Sequence, residues 1–341
     1  MSDITPFGVF EGEDVQEVVL RSETAEARVI TWGAVVRDLQ VDDRSGRRRR
    51  VVLGLNTLED YVEHSPYFGA LAGRCGNRIA GSRFRLDGET YDVAHAPGEV
   101  HLHGGPEGFS RKVWMIADRS ANHVTLILHS PDGDQGYPGA LDALCRYTLE
   151  GSTLRVEHEA RMAPGETRAS PVNLLHHSYF NLDGEGDIRQ HRLQVPAEFY
   201  HPVDEEAVPT GEIRFIAGSP YDFREARPIG DTPLDAGVVL DRVDGAQHHI
   251  AGNALQRCAT LTSSSGDLQM EQWTTEPGVQ IYNAFKLDMT VPGLDGLPYP
   301  RMAGLCLEAQ RFPDSVNVPH FSDTILRPGE LYAQTCEFRF S

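Results

Sequence analysis

Apolar and polar residues alternate with a period of two along much of this chain. The clearest case is residues 154–161, where Leu154, Val156, His158 and Ala160 alternate with Arg155, Glu157, Glu159 and Arg161. Successive side chains of a strand point to opposite faces, so this pattern predicts a half-buried antiparallel strand. Short runs rich in β-branched and aromatic residues predict further strands at 17–20, 27–31, 35–41, 114–116, 124–129, 191–195 and 213–216. Others follow at 259–262, 268–275, 279–285, 304–309 and 332–340. Residues 84–91 read as a hairpin around Asp87 and Gly88, a strong turn pair. Residues 53–61 pass through Asn56 and Thr57 into one short helical turn. There is no long amphipathic helix, no low-complexity linker and no internal repeat. The expected fold is all-β: a large antiparallel β-sandwich, with residues 1–341 as one domain.

Composition narrows the setting. Hydrophobic residues make up 40% of 341, which suits a globular core. The longest apolar runs fall far short of the ~18 residues of a membrane span. The N-terminus has neither a basic nor an apolar leader region, so secretion is not expected. Cys75, Cys145, Cys258, Cys306 and Cys336 are odd in number and lack metal spacing, which fits reduced thiols in a cytoplasm. A net charge of −19 argues against nucleic acid or an anionic membrane as partner. A neutral or weakly charged small molecule is the expected partner. The basic run at 47–50 reads as the solvated tip of a hairpin.

Candidate chemistry gathers in a few polar clusters set among glycines and aromatics. Residues 170–184, SPVNLLHHSYFNLDG, hold the adjacent His176 and His177 beside Asn173, Ser178, Tyr179 and Asn181. A histidine placed there suits proton transfer near neutral pH, although a structural pair at a strand end fits the same letters. Residues 69–81 embed Arg74, Asn77 and Arg78 in a glycine-dense stretch that lacks the phosphate-loop pattern. His103 precedes two glycines, and Glu308 lies in CLEAQRFPD. Tyr137, inside a polar loop, and Tyr179 are aromatics that can shape a cleft, with packing the expected role of Tyr179. A carboxylate, a tunable imidazole and fixed donors suffice for proton chemistry on a hydroxylated substrate.

Six segments, GRCGNRIAG, LHGGPEGF, SPDGDQGYPG, SPVNLLHHSYFNLDG, PGVQIYNAF and CLEAQRFPDSVN, occur in this order. Together they closely resemble the aldose 1-epimerase (galactose mutarotase) family, with weaker similarity from about residue 8 to 340. The resemblance implies a galactose mutarotase-like supersandwich with an open sugar cleft. It implies interconversion of the α and β anomers of a free aldose, with neither metal nor other cofactor. His177 then matches the general acid and Glu308 the general base. Asn77, Arg78, His103, Gln280 and, on a weaker match, Asp235 correspond to sugar-binding residues. Glu308 would take the proton from the O1 hydroxyl while His177 gives one to the ring oxygen. The C1–O5 bond opens, the aldehyde turns about C1–C2, and the ring recloses.

The chain departs from the family pattern at three places. His176 stands where asparagine is common, Ala236, Gly237 and Val238 follow Asp235 in place of His-Asn-Phe, and Val100 and His101 replace a segment with asparagine. These changes fall at expected substrate contacts and predict specificity that is not sharply for galactose. Three other readings compete. His101-x-His103 with Glu107 is similar to a cupin metal motif, but His95 occupies its expected glycine and no second half appears. A sugar-binding module without catalysis would not need a matched acid and base. Glycoside hydrolysis calls for two carboxylates in proton-transfer roles, where the resemblance supplies one.

Overall fold

The alternating stretch at 154–161 lies in the strand Thr153–Met162, whose inward side chains Leu154, Val156, His158 and Ala160 are all buried. Each fully buried apolar side chain of this kind contributes about 1.5–3 kcal/mol relative to exposure. The computed structural model describes residues 3–240 and 254–341, and almost all its regular structure is antiparallel strand. Three large sheets carry the fold. One has five strands in chain order, from Asp3–Phe10 to Arg48–Arg50. A second has nine, with Thr153–Met162 between Leu141–Glu150 and Tyr332–Phe340. The third has six and runs Tyr179–Phe180, Leu305–Gln310, Gly278–Tyr282, Asp235–Leu240, Ala197–Tyr200, Arg214–Phe215. One apolar core takes Leu20 and Val29 from the first sheet, Cys145, Val156 and Phe338 from the second, and Val238, Ile281 and Leu307 from the third. This is the large antiparallel sandwich that the sequence predicts.

Local chemistry accounts for the smaller elements. The helix Leu58–His64 starts where Thr57 accepts the Asp60 N–H at 3.1 Å, and Asp60 accepts the Thr57 N–H in return at 3.2 Å. That capping box fixes a seven-residue helix where the sequence suggests a turn. Asp87 and Gly88, both with positive φ, join Arg83–Leu86 to Glu89–Asp92, as a primed turn requires.

Some expectations change, and Asp3–Phe10, Ala197–Tyr200 and Asp235–Leu240 are strands outside the sequence reading. Leu141–Glu150 is a ten-residue strand that the sequence reading leaves out, although Leu141, Ala143, Cys145, Tyr147 and Leu149 alternate inward. The basic run is a hairpin tip only at Arg47, which is exposed in the turn; Arg48–Arg50 is a strand paired with Val35–Asp42. Strand alternation turns Arg49 into the protein, where its Nη2 meets Asp43 at 2.8 Å and Asp267 at 2.7 Å. A buried guanidinium is tolerated because both of its Nη groups meet carboxylates.

Candidate active site

Register in the six-stranded sheet sets the base. On Leu305–Gln310, Leu305, Leu307 and Ala309 enter the core, which sends Glu308 to the opposite face. Glu308 lies directly across from Gln280, and Gln280 across from Gly237. The same alternation places Asp235 and Gly237 on the Glu308 face and buries Val238 in the core. Of the three residues after Asp235 that depart from the family pattern, Gly237 is therefore the one set beside Gln280. A Cβ there would stand 3.3 Å from Gln280 Oε1.

His177 arrives from a different part of the chain. Leu175 and His176 pair with Ala72 and Leu71, and the His177 N–H donates to Ala70 O at 2.9 Å. Its Nε2 lies 3.4 Å from Glu308 Oε1, with both side chains buried. The imidazole is stacked on Tyr179 at 5.2 Å and on Tyr67 at 5.8 Å, and His103 meets it edge-on at 5.0 Å. Stacking on these two aromatic rings restrains the ring plane.

Asn77 and His103 hold each other. The His103 N–H donates to Asn77 O at 2.9 Å, and the Asn77 N–H donates to His103 Nδ1 at 3.1 Å. Both residues have φ between 50° and 60°, as 59° and 51°, and Tyr67 has 68°. Left-handed backbone at non-glycine positions is uncommon, and three such residues border one cleft. With Nδ1 accepting, the neutral His103 ring carries its proton on Nε2 as a hydrogen-bond donor. The Asn77 side chain accepts the Arg78 N–H at 2.9 Å, which frees its amide NH2 for the cleft.

These groups border a cavity of about 190 Å³ lined by Asn77, Arg78, His103, His177, Asp235 and Glu308, with Pro66, Tyr67, Leu102, Tyr179, Tyr282 and Lys286. It suits a single small ring and is below the ~300–1,000 Å³ typical of drug-sized ligands. A larger groove of about 1,040 Å³ beside Met115 and Leu144 holds no comparable buried acid–base pair. Burial lowers His177 to about 4 and His103 well below the usual imidazole range, with His177 adding to the effect on His103. Burial, reinforced by Asp235 and opposed by Arg78, raises Glu308 well above the carboxylate range. Glu308 Oε2 is buried and has no hydrogen-bond partner among the described residues.

Six of the seven residues singled out in the sequence share this cavity. Gln280 stands behind it, where its Nε2 donates to Asp235 Oδ1 at 2.7 Å and so orients a cleft carboxylate. Tyr179 both lines the cleft and packs, with its hydroxyl donating to Pro66 O at 2.9 Å. Tyr137 does not shape the cleft: it is fully buried with its hydroxyl 2.6 Å from His101 Nε2. That contact also removes His101 from the cupin-like trio, since its Nδ1 is bonded to Ala94 O and Glu107 is exposed and borders the larger groove. A different trio, His103, His177 and Glu308, has one potential ligand atom each within 4.8 Å of one another. The Asn77 N–H on His103 Nδ1 disfavours a cation there, because binding through Nε2 would displace its proton and oppose that bond. Tyr67, Tyr282 and Lys286 were not singled out in the sequence. Their signal was weak, since a loop tyrosine, a strand-end tyrosine and one lysine also fit a plain surface.

Residues 16–339 match the profile of the aldose 1-epimerase family. A galactose mutarotase of Bos taurus is 41% identical over 334 residues, covering 96% of this chain and 94% of that protein. An aldose 1-epimerase of Escherichia coli strain K12 is 35% identical over 349 residues, covering 100% and 99%. Among solved structures, a GalM/aldose epimerase homologue from C. elegans has a TM-score of 0.87 at 26% identity, over 95% of this chain and 98% of that one. A galactose 1-epimerase from Lactobacillus acidophilus NCFM has a TM-score of 0.82 at 24% identity, over 100% and 98%, a likeness of fold.

Proposed function

The chain belongs to the aldose 1-epimerase family and acts as an aldose 1-epimerase, and from that premise we propose that His177 and Glu308 transfer the protons. The observation that carries this reading is the His177 Nε2···Glu308 Oε1 approach of 3.4 Å inside the buried cleft. One group removes the O1–H proton of the closed sugar while the other protonates the ring oxygen O5. The C1–O5 bond breaks, and the sugar becomes an open-chain aldehyde. Rotation about C1–C2 presents the other carbonyl face, and reclosure reverses both transfers. The reaction conserves every atom and electron, so the protein must supply proton exchange and orientation only.

The neighbouring residues suit sugar hydroxyls. The Asn77 amide, the Arg78 guanidinium and the His103 Nε2–H offer donors, while the Asp235 carboxylate offers an acceptor. Gln280 acts one step removed by holding Asp235. No observation favours a binding module without catalysis. We place the protein in the cytoplasm, supported by five cysteines that are all free and buried. No helix among the described residues is long and apolar enough to cross a membrane.

The test is polarimetry on freshly dissolved pure anomers of neutral hexoses, using protein treated with a chelator. The expected result is faster approach to the anomeric equilibrium, with no demand for added metal or nucleotide. Activity that vanishes with chelator and returns with a divalent cation would overturn the reading.

A further inference from the structure

The chain has 31 basic residues, of which only Lys112 and Lys286 are lysines. Lys112 is matched by Asp134, with Nζ 3.1 Å from Oδ1. Lys286 instead lines the catalytic cavity, its ammonium 5.3 Å from the centroid of the Phe285 ring. Arg78 lines the same cavity. Neither cationic head has an ion-pair or side-chain hydrogen-bond partner among the described residues. Elsewhere in this acidic protein, guanidinium groups are commonly matched: Arg49 with Asp43 and Asp267, Arg50 with Asp38, Arg155 with Glu337.

The cleft carboxylates do not supply that match. Asp235 is held by Gln280 Nε2 at 2.7 Å, and Glu308 faces His177. Two cations thus line a sugar-sized cavity without a counter-ion in contact among the described residues, within a chain of net charge −19. A neutral aldose would leave Lys286 unmatched, since its hydroxyls call for no formal charge. An aldose with an anionic group away from C1 would match it. A carboxylate in place of the terminal CH2OH barely changes the sugar's size, which suits a cavity of about 190 Å³ better than a bulkier phosphate. The flexible stem and compact charge of lysine suit such a contact at the mouth of a cleft.

We propose that this aldose 1-epimerase prefers uronic acids, aldoses with a terminal carboxylate, and that Lys286 is the residue that pairs with the carboxylate. The inference rests on the catalytic reading above. The experiment measures kcat/KM for anomer interconversion of glucose against glucuronate and galactose against galacturonate, with glucose 6-phosphate as a separate arm. Wild type is compared with Lys286→Met at low and moderate salt, and thermal melts check folding. The expected uronate preference in wild type is about two- to fivefold, the range for an exposed or partly shielded ion pair. It should shrink toward unity in Lys286→Met and weaken with salt. Equal use of neutral and charged sugars, or a uronate preference that survives Lys286→Met, overturns the inference while leaving the catalytic reading intact. A preference for glucose 6-phosphate over glucuronate overturns the carboxylate assignment. Failure to interconvert any of the sugars overturns the catalytic reading, and this inference with it.

Discussion

His177 and Glu308 have their proton affinities inverted relative to free side chains. Burial lowers the imidazole to about 4 and raises the carboxyl well above its ordinary range. At 3.4 Å the two form a unit that works with one proton between them. A second proton leaves no base, and removal of the first leaves no acid. The profile of kcat/KM against pH should therefore be a broad bell. Its acid limb belongs to His177, near pH 4, and its alkaline limb to Glu308, the reverse of the assignment that reference values suggest. Residual activity of His177→Asn, expected at 10²–10⁴-fold below wild type by kcat, should lack the acid limb. An acid limb unchanged in that variant contradicts the assignment. His176 follows different logic. Its Nε2 lies 2.7 Å from Ser178 Oγ, and its ring packs against Tyr147 and Phe338 in the interior. His176→Asn should lower the melting temperature by an amount equivalent to about 1–3 kcal/mol, with kcat/KM changed less than about threefold. A large change in KM without loss of stability would put His176 at the substrate. Six of the seven candidate residues were legible as one group because chemically able side chains stood beside glycines in recognisable segments. Tyr67, Tyr282 and Lys286 were not, since backbone conformation and sheet register decide which residues border the cleft.

Among the elements, the turn after His103 matters most for the cleft. Gly104 has φ +91°, and a Cβ on it would fall 1.7 Å from Gly73 O. No side chain fits without moving either loop. Gly104→Ala should destabilise the protein, shift His103 away from Asn77, and raise KM as well as lower kcat. Thermal melts and steady-state kinetics on the variant check this, and wild-type stability would show the approach to be looser than described. Strand alternation was readable at 153–162, where charged residues mark the outer face cleanly. Its neighbour Leu141–Glu150 was missed because Leu144 interrupts the outward polar set. Arg49 was misplaced because four consecutive arginines look solvated, and the carboxylate of Asp267 that receives Arg49 lies 218 positions away in sequence. Only the fold brings such partners together.

Over the whole molecule, buried histidines tie stability to pH. His101, His158 and His201 are lowered by burial to about 4, His176 to about 3, and His177 to about 4, while His103 and His191 are also lowered. Between pH 6.5 and 4 the unfolded chain binds protons that the folded chain refuses, so stability falls as pH falls through this window. Each histidine lowered to about 4 contributes a slope of at most about 1.4 kcal/mol per pH unit there. Glu308 works in the opposite sense, since its raised affinity favours the folded state at low pH and is lost as pH rises. One carboxyl does not offset seven imidazoles, so the melting temperature should drop steeply from pH 6.5 to 4. A flat profile would show that these rings are hydrated. We also propose that residues 1–341 melt as one domain, because a single core joins strands from all three large sheets. Calorimetry resolving two independent transitions would refute it. The catalytic account meets its most direct test in Glu308→Gln. The substitution keeps size and hydrogen-bonding capacity while removing the titratable oxygen. Mutarotation of a pure anomer, followed polarimetrically beside a thermal melt, should show a folded variant with kcat reduced 10²–10⁴-fold, about 3–5 kcal/mol of barrier. A folded Glu308→Gln protein with wild-type kcat would contradict the account.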